Sequence, residues 1–281
     1  MVQLRPRKSH TLSIHPISGI TGHLTRISQW NDGDYPQTLK DTLGDILPTL
    51  TQDEKDLIKG SCDFFAIDPY TSYYAFGIED FDACVSNSSA PGFPECAGST
   101  QTAPDGFPAG PAADPGASWL YDTPQGVRRF LGKITKDLFP AVPDIQVTEF
   151  GFAEPFESEL TSLQTILWDL RRADYYQSYL DNILAAIVYD GVNITGAWGW
   201  AIFDSEFHVR LLALEDVSAD MKCADFEWGS GQTTRFGLQY VNYTDLTRTP
   251  KASMFTFVNW FNQHGGGSEE EPANSTYRMI R

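Results

Sequence analysis

Ile145-Gln146-Val147-Thr148-Glu149-Phe150-Gly151 decides the fold. It follows Pro143 and reads as a short buried strand over 145–148 that ends in a carboxylate. A helix is predicted before it at about 123–136, with Val127, Phe130, Leu131 and Ile134 on one face. After it, Tyr175, Tyr179, Ile183, Ala186 and Ile187 recur at helical spacing over 174–189, and Gly191 ends that helix. Residues 192–203, rich in Trp and Ile, form the next strand. Upstream, 63–67 (DFFAI) is a further apolar strand between Gly60 and Pro69. Two helices precede it, at 38–47 and at 51–59. Thr51 is the N-cap of the second, Glu54 its capping-box partner and Gly60 its stop. Residues 235–243 are extended, and 251–264 is a closing helix.

Helices and strands alternate, which implies right-handed βαβ units and a parallel sheet with helices outside it. No Gly-rich phosphate loop follows any strand, so a doubly wound nucleotide fold is unsupported. Three strands cannot close a barrel. The expected class is α/β, a partial (β/α)8 barrel whose chemistry sits at the C-terminal strand ends. Residues 82–118, rich in Gly, Pro, Ser and Ala, are expected to form one long loop, functional or disordered.

The 281 residues are 41% hydrophobic and 20% charged, a globular composition without an apolar run long enough to span a bilayer. Net charge is −17, a field that repels phosphate backbones and anionic membranes. Neither nucleic acid nor membrane is therefore an expected partner, whereas neutral sugars meet no such penalty. Cys62, Cys84, Cys96 and Cys223 include no CxxC pair, and neither metal nor cofactor is expected. Cys84 and Cys96 flank one loop and read equally as a disulfide or as two free thiols. Sequons stand at Asn87, Asn193, Asn242 and Asn274. Residues 1–33 are expected to be unstructured or wrongly assigned, and 265–281 a disordered tail. No secretory signal opens the chain, so the compartment is read as cytoplasmic, or secreted if the true start lies upstream.

Strand ends carry Asp68, Tyr70, Glu149, Trp198, Trp200 and Asp204. A carboxylate there is costly unless paired or used, and by itself Glu149 is equally a catalytic group or a solvated loop charge. Aromatic rings beside acids suit a sugar, whose C–H faces stack and whose hydroxyls hydrogen-bond. By themselves, Trp198 and Trp200 fit core packing better.

The wording goes further. Thr148-Glu149-Phe150-Gly151 resembles the TENG motif of glycoside hydrolase family 1, the β-glucosidase family. Residues 59–72 (KGSCDFFAIDPYTS) resemble its KGSxDFxGINYYTS strand, and residues 191–200 its DGVNVxGYxxWS strand. Asp225-Phe226-Glu227-Trp228 is similar to NFEW, Arg235-Phe236-Gly237-Leu238 matches RFGL, and Arg248-Thr249-Pro250-Lys251 matches RTPK. GFAEPFE at 151–157 is closest to the fungal branch. These ordered motifs cover residues 34–264. The resemblance implies strands six to eight of a (β/α)8 barrel and retaining hydrolysis of a β-glycoside or oligosaccharide. It implies Glu149 as nucleophile, Tyr70 as the residue orienting it, Trp200 as stacking platform, and Glu227 and Trp228 as sugar-binding residues.

Departures are equally specific. No Asn-Glu-Pro occurs, so the family's acid/base glutamate is absent from this chain. Glu154-Pro155 follows strand seven and is not that motif. Activity is therefore expected to be impaired, the alternative being a non-catalytic carbohydrate-binding or vestigial barrel fragment. Asp68 stands where the family has Asn and adds like-charge repulsion near Glu149, and Phe150 replaces the Asn of TENG. Residues 205–224 separate Asp204 from the NFEW-like motif and are expected to be a translated intron. Donor-like and acceptor-like codons are permitted at its ends, and joining the flanks restores an Asn codon and hence NFEW. His208 and Cys223 inside it are expected to have no role.

Overall fold

The computed structural model describes residues 28–93, 96–142, 144–204, 234–242 and 244–264. Its centre is a three-stranded parallel sheet in the order β1 (Phe65–Ile67), β4 (Ile145–Phe150), β5 (Ile194–Gly199). Two antiparallel hairpins flank it: β2 (Tyr74–Gly77) with β3 (Ala97–Thr100), and β6 (Gln239–Asn242) with β7 (Thr247–Pro250). After a helical stretch at 28–32, the named α-helices are α1 (Gln37–Leu43), α2 (Gln52–Ile58), α3 (Phe81–Val85), α4 (Pro124–Lys133), α5 (Leu163–Ile166), α6 (Leu170–Val188) and α7 (Ala252–His264).

Local chemistry explains several of these boundaries. Thr51 caps α2 with its hydroxyl while the Glu54 carboxylate reaches back to the Thr51 amide, as the sequence predicts. Gly60, at φ +72°, then turns the chain toward β1. α6 begins four residues earlier than expected, because Arg172 and Ala173 extend its buried face. That face continues through Tyr175, Tyr176, Tyr179, Leu180, Ile183 and Ala186, the spacing that fills one side of a helix. It lies between α4 and α7 and against the sheet, where Ile145, Val147 and Phe150 are fully buried.

Two expectations need correction. Residues 82–118 are not one irregular loop: they contain part of α3, strand β3 and a 3₁₀ turn at Pro115–Ala117. A Cys84–Cys96 disulfide staples this segment, with Cα atoms 5.8 Å apart, which decides between the two readings of that pair. The predicted strand over 192–203 is shorter, because after Trp200 the chain leaves β5. Ala201 instead exchanges backbone hydrogen bonds with Phe236 and Leu238. At the N-terminal side, residues 28–32 are helical and Trp30 is buried in the core, ahead of the boundary expected at residue 34. Residues 205–224, the proposed intron, and the tail after 264 lie outside the described residues.

The staple is directly measurable. Alkylation of native protein without reductant is expected to modify the exposed Cys62 and to leave Cys84 and Cys96 linked in one peptide pair. Recovery of alkylated Cys84 or Cys96 from folded, unreduced protein contradicts the pairing.

Candidate active site

The C-terminal ends of β1, β4 and β5 meet at Glu149. Between the pairs Val147–Ala197 and Phe150–Gly199, Thr148 and Glu149 together oppose the single residue Trp198. This is a β-bulge, and it changes which way the strand end points. In a regular strand Glu149 would share the helix-facing side of Ile145 and Val147. With the bulge, Phe150 takes that place. Its ring sits against those of Tyr176, Tyr179 and Phe257, at centroid distances of 5.4, 6.2 and 6.3 Å. The Phe that replaces the motif's Asn is thus a core residue, and Glu149 is released to the open end of the sheet.

There the Tyr70 hydroxyl donates a hydrogen bond to Glu149 Oε2 at 2.8 Å. Tyr70 lies three residues beyond β1 and is itself tightly held. Its amide donates to the Asp68 carbonyl, and its own carbonyl accepts from the hydroxyls of Tyr175 (3.0 Å) and Tyr179 (2.6 Å). The Tyr70 ring meets Trp119 edge-on at 5.5 Å and Phe236 at 6.3 Å. Asp68 is engaged elsewhere, accepting from the Thr148 hydroxyl at 2.6 Å.

Trp200 is part-buried against the core. Its amide donates to the Phe150 carbonyl at 2.8 Å, and its carbonyl accepts from the Tyr176 hydroxyl at 2.9 Å. The peptide bond from Trp200 to Ala201 is cis. Gly151 is required at this junction, since a side-chain carbon there would collide with the Trp200 carbonyl oxygen. Trp198, two residues earlier and within β5, is half exposed. Glu227 and Trp228, the remaining sugar-binding residues expected from the sequence, lie outside the described residues.

Two features escaped sequence reasoning. Trp119, 40% exposed, stands beside Tyr70 at the mouth of the site. Its carbonyl accepts from the Tyr73 hydroxyl and the Gln101 amide, so the β2–β3 region fixes it in place. It sits in a stretch without periodicity, and only the tertiary contact singles it out.

The second is a buried charge cluster behind the strand ends. Arg172 donates all five guanidinium hydrogens: to the carbonyls of Phe152, Gly237 and Arg235, and to the carboxylates of Asp169 and Glu157. Lys251 binds Glu157 at 2.6 Å and Asp204 at 2.7 Å. Burial alone would raise the Glu157 pKa, but the charges of Arg172 and Lys251 outweigh it and hold the carboxyl below its ordinary value. Burial wins at Asp204, whose pKa is pushed up despite Lys251. Asp204, beyond the end of β5, is held in the cluster by its ion pair with Lys251. RFGL supplies two of the carbonyls and RTPK supplies the lysine, which gives both motifs a structural purpose.

The family model for glycosyl hydrolase family 1 matches residues 20–209. The chain belongs to glycosyl hydrolase family 1. It is 34% identical over 245 residues to β-glucosidase 1B of Phanerodontia chrysosporium, covering 86% of this chain and 38% of that protein. It is 31% identical over 230 residues to β-glucosidase 12 of Oryza sativa, covering 82% and 38%. Among solved structures, a β-glucosidase from Trichoderma harzianum superposes with a TM-score of 0.68 at 30% identity, over 85% of this chain and 44% of that one. A family 1 β-glucosidase from Humicola insolens in complex with glucose gives 0.67 at 28% identity, over 86% and 46%. These structures are barrels, so the three-stranded sheet is part of a family 1 barrel. The chain spans about two fifths of the length of the curated family 1 relatives it matches.

Proposed function

We propose that this family 1 chain carries the nucleophile half of a retaining β-glucosidase site, corresponding to strands six to eight of the barrel. The observation that carries the reading is the Tyr70–Glu149 hydrogen bond of 2.8 Å at adjacent parallel strand ends, with Trp119 against Tyr70. Glu149 attacks the anomeric carbon of a β-glucoside, the glycosidic bond to the leaving group breaks, and a covalent glycosyl-enzyme forms. Water then attacks the same carbon and releases Glu149. Tyr70 keeps the nucleophilic oxygen aimed, and Trp200 and Trp119 wall the sugar and its leaving group. Glu227 and Trp228 bind the outer hydroxyls of the sugar. The acid/base carboxyl, which in retaining enzymes stands about 5–5.5 Å from the nucleophile, is not supplied by this chain.

A 2-fluoroglucoside with a good leaving group tests this, because the fluorine slows deglycosylation and traps the intermediate. Mass spectrometry is expected to find one fluoroglucosyl adduct, on the peptide containing Glu149 and absent in Glu149→Gln. An adduct on another carboxylate overturns the assignment. The short span relative to its relatives favours one second reading, a non-catalytic sugar-binding fragment. Tryptophan quenching by glucose with no adduct on Glu149 would support that instead.

A further inference from the structure

We propose that Tyr179 and Tyr175 are positioning residues for the Tyr70–Glu149 pair, acting through the backbone carbonyl of Tyr70. The proposal rests on the reading of Glu149 as the nucleophile. Both tyrosines lie on α6, one turn apart, with rings fully buried and stacked at a centroid distance of 3.9 Å. Their hydroxyls converge on one atom, the Tyr70 carbonyl oxygen, at 2.6 and 3.0 Å, and so occupy both of its lone pairs. Burial pushes both phenols well above their ordinary pKa, so they remain donors across the neutral range.

Mechanical consequences follow for Tyr70. Its amide is tied to the Asp68 carbonyl, its carbonyl to two phenols, and its ring is bracketed by Trp119 and Phe236. With both backbone ends and the ring fixed, the hydroxyl has little freedom, and it meets Glu149 at 2.8 Å. Packing alone does not demand this arrangement, because Phe at 175 or 179 would fill the same space. The same helix contains its own control. Tyr176 is equally buried and equally bonded, but to the Trp200 carbonyl at 2.9 Å, on a different strand end.

Tyrosine labelled with ¹³C at the phenol carbon gives a resonance for Tyr70 that reports its hydroxyl's hydrogen bond. Tyr70→Phe assigns that resonance, and Glu149→Gln marks the direction in which it moves when the charged acceptor is removed. Tyr179→Phe is expected to move it in that direction, and Tyr176→Phe to leave it in place. The 2-fluoroglucoside labelling rate at saturation is expected to fall about threefold to tenfold in Tyr179→Phe, the size of one lost hydrogen bond. The inactivator's dissociation constant should stay unchanged. Folded Tyr179→Phe with a wild-type resonance and labelling rate overturns the proposal, and so does an equal resonance shift in Tyr176→Phe. Should Tyr179→Phe fail to fold, Tyr175→Phe addresses the same oxygen and carries the same comparison. Wild-type protein that takes no label refutes the hydrolase reading, while the resonance still decides the clamp.

Discussion

Arg172→Met is expected to unfold this protein under conditions where the wild type is folded. The guanidinium is fully buried, and each of its five donors has an acceptor within 2.6–2.8 Å. Met fills comparable volume but leaves Glu157 with Lys251 alone, Asp169 without its cation, and three buried carbonyls without this partner. Breaking one side of a buried charge pair costs about 3–5 kcal/mol, most of it from the stranded partner. That is comparable to the whole stability of an ordinary domain, about 5–15 kcal/mol. Arg172→Lys keeps the charge but supplies three donors in place of five, so it should fall between. Urea melts followed by circular dichroism rank the three. An unfolding free energy for Arg172→Met within about 1 kcal/mol of wild type would show that the cluster is dispensable.

Within this cluster Glu157 contributes an acid limb, which the raised pKa of Asp204 opposes. The folded pKa of Glu157 lies below its ordinary value, so its contribution is present above that ordinary value. It is lost as pH falls through the depressed one. Glu157→Gln should flatten that limb in melts repeated between neutral and acid pH.

The second large effect is on chemistry. On the half-site reading proposed above, in which this chain brings no acid/base carboxyl, leaving groups that need protonation should suffer most, because general acid–base assistance is typically worth about 10²–10⁴-fold. A dinitrophenyl β-glucoside, whose phenolate leaves unaided, is expected to glycosylate Glu149 measurably. Cellobiose should be slower by about that extra factor when each rate is divided by that of a full-length family 1 relative. Azide, which needs no general base, should attack the glycosyl-enzyme, giving glucosyl azide and freeing the Glu149 carboxylate. Equal relative rates for the two substrates would mean that an acid/base group is present, and the half-site reading would fail.

Much of this was legible in the chain. The apolar run 63–67 between Gly60 and Pro69 marks β1, the short stretch after Pro143 with Ile145 and Val147 marks β4, and Thr51 with Glu54 marks the start of α2. Their physics is local: the buried positions of a strand must be apolar and helix ends must satisfy their amides. The order of elements implies the parallel sheet, because a crossover of one hand joins successive strands. The motif wording carried the family and named Glu149 and Tyr70 together. Other features depend on residues far apart in sequence. The bulge that turns Glu149 toward the site exists only as a register between β4 and β5. Trp119 is placed beside the candidate nucleophile because Tyr73 and Gln101 hold its carbonyl while its ring meets Tyr70. No local pattern marks Arg172, Glu157, Asp169 and Lys251, or the strand-end Asp204, as partners, and an isolated buried charge is prohibitively costly. Only the fold brings their opposite charges within 2.7 Å of one another, which is what makes their burial affordable.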